Sequence, residues 1–128
     1  MSGEREIVQA PAAPPAIGPY SHAVAVDGLL FCSGQIPLDP ASGELVGDTP
    51  GAQARRCLEN LQAVCAAAGT SLARAARLTI YTTRLEAFAE INEAYGEFFE
   101  RDPPARAAVG VAALPKGALV EIDAVVAL

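Results

Sequence analysis

The stretch Leu119-Val120-Glu121-Ile122-Asp123-Ala124-Val125-Val126-Ala127 reads as a β-strand carrying apolar residues on both of its faces, interrupted by Glu121 and Asp123. Such a strand needs cover above and below. Immediately before it, Leu114-Pro115-Lys116-Gly117 supplies a connecting turn, and Ala105 to Ala113 reads as another strand. Further back, Arg77 to Thr83 alternates Leu78, Ile80 and Thr82 with Thr79, Tyr81 and Thr83, the period of a strand. His22 to Val26 and Leu29 to Gly34 flank Asp27-Gly28, a dipeptide suited to the positive φ angles of a tight hairpin.

Two helical segments separate these strands. From Gly51 to about Ala68, Leu58, Leu61, Cys65 and Ala68 recur at helical spacing and Gly69 acts as the stop, while Arg56, Glu59 and Asn60 are expected on the opposite, wet face. From about Leu85 to Glu100, Phe88, Ile91, Tyr95, Phe98 and Phe99 form an apolar stripe that reads as core. The Pro-rich run Ala10 to Pro19 is a rigid lead-in expected to lie on the domain, and Gln35 to Pro50 is expected to be a surface loop. The order ββ, α, β, α, ββ implies one α+β domain over residues 1–128 with helices on one face of the sheet only. The other face then requires a partner, and a closed homo-oligomer is the commonest solution.

Composition excludes several classes. The net charge of −6, with scattered Lys and Arg, offers no electropositive track, so nucleic-acid binding is disfavoured. No stretch approaches the ~20 apolar residues of a membrane span, and Met1 to Arg5 leads into no signal-like segment, so a cytoplasmic address is expected. Cys32, Cys57 and Cys65 lack metal-ligand spacing and His22 is the single histidine, so a metal site is not expected.

A few residues can carry chemistry. Arg106 shares a strand face with the small residues Ala108, Gly110 and Ala112, which leaves room beside its guanidinium. In a cramped, partly dry site that group suits bidentate capture of a carboxylate; an interface ion pair explains it as well, and periodicity leaves both open. Glu121, sharing its face with Asp123, can orient or deprotonate a water, or can simply face solvent or pair with Arg106. Ser33 and Gly34 end a strand where a hydroxyl and backbone amides can line a pocket, although a plain strand end accounts for them too. Tyr20 closes over a site or covers apolar surface, and Asn92, at the edge of the aromatic stripe, needs hydrogen-bond partners and reads as structural first.

Taken jointly, Ile17-Gly18-Pro19-Tyr20-Ser21, Ser33-Gly34-Gln35-Ile36-Pro37, Gln53-Ala54-Arg55, Leu58-Glu59-Asn60-Leu61, Ile91-Asn92-Glu93-Ala94-Tyr95, Pro104-Ala105-Arg106, Leu114-Pro115-Lys116 and Val120-Glu121-Ile122 resemble the Rid family, also called YjgF. The resemblance spans about Ile17 to Val126. It implies an α+β, chorismate-mutase-like mixed sheet of about six strands backed by two helices, assembled as a homotrimer with a barrel-like core and with sites in the clefts between subunits. It further implies a hydrolase that converts enamines and 2-imino acids such as 2-aminoacrylate to 2-keto acids and ammonia without a cofactor.

On that resemblance Arg106 binds the substrate carboxylate and Glu121 positions the attacking water, with Tyr20 assisting proton transfer. Ser33, Gly34, Asn92 and Ala108 line or support the pocket. Two positions depart from the family pattern: Ala108 stands where many members carry cysteine, which removes any role for a side-chain acid or thiol there, and His22 stands where glutamine is common, so that an imidazole replaces an amide's hydrogen bonds and its protonation can alter the pH profile. Two other roles are compatible with the fold: a non-catalytic trimeric small-carboxylate binder or chaperone-like module, and a specialised deaminase of an aminomuconate-type enamine.

Overall fold

A computed structural model of the chain describes residues 3–128. Among these residues there are six strands, β1 (Glu6–Val8), β2 (Ala23–Val26), β3 (Leu29–Gln35), β4 (Ala75–Thr82), β5 (Ala105–Gly110) and β6 (Val120–Ala127), and two helices, α1 (Pro50–Ala67) and α2 (Phe88–Gly96). The strands form one mixed sheet in the order β1-β2-β3-β6-β4-β5, with β5 parallel to β4 across the α2 crossover and every other pair antiparallel. This is the α+β arrangement expected from the order of elements.

Local signals explain the element ends. Asp27 and Gly28 both adopt positive φ, 51° and 80°, and close the β2–β3 hairpin. Thr49 caps α1 by accepting the Ala52 N–H, and Pro50 occupies the first turn, where its missing N–H costs nothing. Gly69, at φ 81°, ends the helix: its N–H reaches Ala66 O and the Thr70 N–H reaches Cys65 O, the paired bonds of a Schellman closure.

Both helices pack on one face of the sheet. Leu58, Leu61 and Val64 of α1 and Ile91 of α2 are fully buried against Leu30, Leu78, Ile80, Val120, Ile122 and Val126 of the sheet. Each such aliphatic side chain contributes roughly 1.5–3 kcal/mol. Along β6 burial alternates, so Val120, Ile122, Ala124 and Val126 face the helices while Glu121, Asp123, Val125 and Ala127 lie on the open face. The strand is therefore apolar on both faces only towards its C-terminal end. There an apolar ladder crosses four strands in register, Ile7–Val24–Phe31–Val125, with Ile7 and Phe31 47% and 44% exposed.

Several expectations change. A three-residue strand, β1, precedes the Pro-rich lead-in; its shortness left no period to read. The second helix is shorter than expected, because Leu85–Ala87 is a single 3-10 turn and the chain leaves the helix after Gly96, so that Phe98 and Phe99 pack from a non-helical segment. The strand that opens at Ala105 stops at Gly110, before Ala112. Asn60 is fully buried, not on a wet face: its Nδ2 donates to the carbonyls of Ile36 and Leu38 at 3.3 and 3.0 Å, and its Oδ1 accepts from Arg56. The residues after β3 are accordingly no simple surface loop, since Ile36 and Leu38 pack with Ala118 and Leu114 in a second small core.

Candidate active site

The end of β3 is irregular. Cys32 pairs with Ala124 while Gln35 pairs with Ile122, so β3 spends one residue more than β6 across Ser33 and Gly34. Such a bulge kinks the strand locally, and a concave space lies beside it. Gly34 is required there by close approach, because a β-carbon would stand 2.3 Å from Glu121 Oε2 and 3.0 Å from its Cδ. The glycine thus makes room for the carboxylate.

The resulting cavity, about 300 Å3, is lined by Ile17, Tyr20, Ser33, Gly34, Ile36, Pro115 and Glu121. Each wall is held by a nearby contact. The Tyr20 hydroxyl accepts the Ile17 N–H at 3.2 Å, which leaves its own proton free to donate. The Ser33 hydroxyl donates to Ser21 O at 2.6 Å, so its lone pairs remain to accept. Asn60 secures the Ile36 carbonyl from below, and Gln53 of α1 ties Gly47 O and the Leu119 N–H together at the start of β6.

Glu121 is half-buried, and burial followed by the neighbouring charge of Asp123 pushes its carboxyl above the usual range. Asp123 accepts the Tyr81 hydroxyl at 3.1 Å, on the same open face. Across the strand pairing Tyr81 stands opposite Glu121, so the carboxylate lies between a pocket and a tyrosine–aspartate pair.

Arg106 lies elsewhere. On β5 it pairs with Leu78, and its side chain emerges on the helix-covered side of the sheet, over the rings of Phe88 and Tyr95 at 5.2 and 4.9 Å. Its Nη1 donates to Asn92 Oδ1 at 2.7 Å. Within one chain Arg106 and Glu121 therefore occupy opposite faces, and the ion pair between them left open by the sequence is not formed. The guanidinium is also exposed in the single chain, not cramped and dry, because Ala108 and Gly110 beside it leave the outer edge of β5 uncovered. Beneath it the Tyr95 hydroxyl is buried without a hydrogen-bond partner.

The structure thus brings Tyr20, Ser33, Gly34 and Glu121 into one cavity and Arg106, Asn92 and Ala108 onto one separate strip. His22 joins neither. Its ring is buried, bridging the Ala10 N–H at Nδ1 and Pro14 O at Nε2, each at 2.8 Å, and so pins the Pro-rich lead-in to the sheet. Sequence reasoning missed Ile17, Ile36 and Pro115 as pocket walls, and it read Phe88 and Tyr95 as core without their second role as a platform for Arg106. Among the described residues no three His, Cys, Asp or Glu side chains gather as a metal site would require, and no helix is long and apolar enough to cross a membrane.

Known proteins share this fold. The family model described as Endoribonuclease L-PSP matches residues 10–128. The chain belongs to the Rid family. It is 42% identical over 121 residues to human 2-iminobutanoate/2-iminopropanoate deaminase, covering 94% of this chain and 88% of that protein. Among solved structures, RidA from the Antarctic bacterium Psychrobacter sp. PAMC 21119 superposes with a TM-score of 0.92 at 41% identity, covering 96% of this chain and 99% of that one. TdcF of E. coli, crystallised with bound serine, superposes with a TM-score of 0.90 at 40% identity, covering 96% and 98% of the two chains. This Rid chain therefore shares its fold with these two solved structures over nearly its whole length.

Proposed function

We propose that this Rid protein hydrolyses 2-imino acids, and the enamines that tautomerise to them, in clefts shared between copies of the chain arranged as a homotrimer. The observation that carries the reading is the placement of Glu121: a half-buried carboxyl with a raised proton affinity, at the floor of a small cavity with the Tyr20 and Ser33 hydroxyls. A carboxyl whose proton affinity is raised by burial suits a group that takes a proton from water and returns it. The deaminase activity named for the human relative fits this chemistry, and the serine bound to the E. coli relative fits a small carboxylate ligand.

In this mechanism the substrate carboxylate docks on Arg106, whose guanidinium is oriented by Asn92 and the two rings. Glu121 accepts a proton from a water as the water oxygen attacks the C=N carbon of the iminium. A carbinolamine forms. Glu121, aided by Tyr20, returns that proton to the carbinolamine nitrogen; as the C–N bond breaks and ammonia leaves, the carbinol O–H gives its proton to the Glu121 carboxylate, which passes it on to ammonia as ammonium, and its oxygen becomes the carbonyl of a 2-keto acid. Ser33 and the Gly34 and Ala108 backbones line the substrate, and no metal or organic cofactor enters the scheme. Imines hydrolyse readily, so a thousandfold acceleration requires only about 4 kcal/mol.

The opposite placement of Arg106 and Glu121 supports a site completed by a second copy: the outer edge of β5 and the ladder Ile7–Val24–Phe31–Val125 are both uncovered in one chain. A neighbouring copy that covers the ladder and presents its own Arg106 to the cavity accounts for both, and a barrel-like core of open sheet faces follows. The chain is read as one Rid domain over residues 1–128, working in the cytoplasm without nucleic acid. The test is ammonia or keto-acid release from 2-imino acids made in situ by an amino-acid oxidase, with semicarbazide competing. Wild type accelerates release, and Arg106→Ala and Glu121→Ala lose the acceleration while keeping the assembly. Absence of acceleration over a range of side chains would favour the small-carboxylate binder.

A further inference from the structure

The lead-in Ala10 to Pro19 is a strap with few bonds of its own. Pro11, Pro14, Pro15 and Pro19 have no N–H to give. The bonds inside it join near neighbours: Ala13 N–H to Ala10 O at 3.1 Å, Ile17 N–H to the Tyr20 hydroxyl at 3.2 Å and Tyr20 N–H to Gly18 O at 2.9 Å. Its buried side chains are small, those of Ala10, Ala13 and Pro14. Among the described residues, two hydrogen bonds join residues 10–20 to the rest of the chain, and both end on the ring of His22, which is 5% exposed. Nδ1 accepts the Ala10 N–H at 2.8 Å, so the neutral ring carries its proton on Nε2 and donates it to Pro14 O, also at 2.8 Å.

What His22 holds reaches the cavity. Pro14, Ile17 and Tyr20 border, together with Gly34 and Ile36, a gap of only about 20 Å3. Gly34 is the residue that makes room for Glu121, and Ile17 and Tyr20 line the cavity that holds this carboxylate. The backbone of His22 is tied to the same place, since its carbonyl accepts the Ser33 N–H at 2.9 Å. Around the ring the lead-in presents Gln9, Ala10, Pro11, Ala13, Pro15 and Ala16, none of which titrates. Beside it in β2, Ala23 pairs with Val8 of β1 and with Cys32 of β3, whose thiol is pushed up by the Cys65 sulfur of α1 and by burial and stays neutral. Tyr20, two residues earlier, bonds Ile17 instead.

An imidazole is the side chain suited to change its charge between about pH 5 and 8. Protonation places a hydrogen on Nδ1, which can then no longer accept the Ala10 N–H, and two donors face each other. We infer that His22 is a positioning residue for Tyr20: its neutral ring latches the strap over the cavity, and its protonation releases the strap and withdraws Tyr20 from the cavity. The part played by Tyr20 in proton return rests on the imine-hydrolase reading, whereas the latch stands on the bonds of the strap alone. Glutamine separates bonding from titration, because its amide offers one acceptor and one donor and carries no charge to gain.

The experiment follows the ring of His22, the single histidine of the chain, by NMR between about pH 8 and pH 5, with hydrogen exchange at the Ala10 amide and kcat/KM on 2-imino acids. Wild type, His22→Gln and His22→Leu are compared at each pH. At about pH 8 wild type and His22→Gln protect the Ala10 amide equally and turn over within about twofold of each other, while His22→Leu leaves that amide unprotected. At about pH 5 the wild-type ring is protonated and Ala10 exchanges at least about tenfold faster than in His22→Gln. Both proteins share the acid loss caused by Glu121, but kcat/KM of wild type falls at least about tenfold further, within what a positioned proton donor contributes. A ring that stays neutral at about pH 5, or one that protonates while Ala10 remains as protected as in His22→Gln, would overturn the latch. An equal acid loss of kcat/KM in the two proteins would overturn the positioning of Tyr20. Exchange at Ala10 that follows ring protonation, in a protein that hydrolyses none of the imines at any pH, would uphold the latch and overturn the hydrolase reading.

Discussion

At the scale of single residues the site turns on the space that Gly34 leaves for Glu121. Alanine at 34 strains no backbone dihedral, since Gly34 is not among the positive-φ glycines, but its methyl would displace the Glu121 carboxylate. Gly34→Ala is expected to lower kcat/KM by about a hundredfold with a thermal midpoint close to wild type, because misplacing a catalytic group by an ångström costs about that much. Steady-state kinetics beside a melting curve checks it.

Glu121 itself is held at some cost to stability. Its folded-state proton affinity is raised, first by burial and then by Asp123, so the folded chain binds that proton more tightly than the unfolded one. Stability from this group is fully present at low pH and falls as pH climbs from the ordinary carboxylate range through the raised value. Glu121→Gln removes the dependence: the variant is expected to be more stable than wild type at about pH 8, to lose that advantage at about pH 3, and to be inactive. Thermal melts at the two pH values give the sign. Arg106 and Glu121 stood out in the sequence as residue types able to carry chemistry. Their placement on opposite faces of the sheet was not, because β5 runs parallel to β4 and β6 antiparallel, a register that no periodicity within a single strand encodes.

At the scale of elements, α1 does more than cover the sheet. Gln53 and Asn60, two turns apart, reach from its buried face to the Gly47, Ile36 and Leu38 carbonyls and to the Leu119 N–H. The helix thereby holds the segments that carry the cavity floor. Asn60→Ala strands buried carbonyls and is expected to cost about 2–3 kcal/mol in denaturant unfolding. The same stretch shows where sequence reading stops. Apolar spacing located α1 to within a residue at each end, yet it assigned Asn60 to solvent, since a polar side chain whose partners are distant backbone carbonyls looks like any surface amide. For α2 the aromatic stripe was read correctly as packing, but Phe98 and Phe99 continued the helical period past the point where the chain leaves the helix after Gly96.

At the scale of the whole molecule, the apolar ladder and Glu121 lie on one face of the sheet, while Arg106 lies on the other. Apolar residues on both faces of the last strand, set against two helices that can cover only one face, made the uncovered face legible in the sequence. A site in clefts between copies was an expectation from resemblance alone, and which residues each copy would contribute was not legible, since the polar groups of β6 interrupt the open face at Glu121 and Asp123. In the proposed assembly Glu121 of one copy works with Arg106 of another.

Complementation between inactive variants tests it most directly. Arg106→Ala and Glu121→Ala are unfolded together, refolded as a mixture and assayed for imine hydrolysis against each variant refolded alone. In a ring with one cleft per subunit pair, random mixing gives intact clefts at about one in four, so activity is expected to recover to about a quarter of wild type. Activity no greater than that of the separate variants, from a mixture that assembles like wild type, would contradict a site shared between copies.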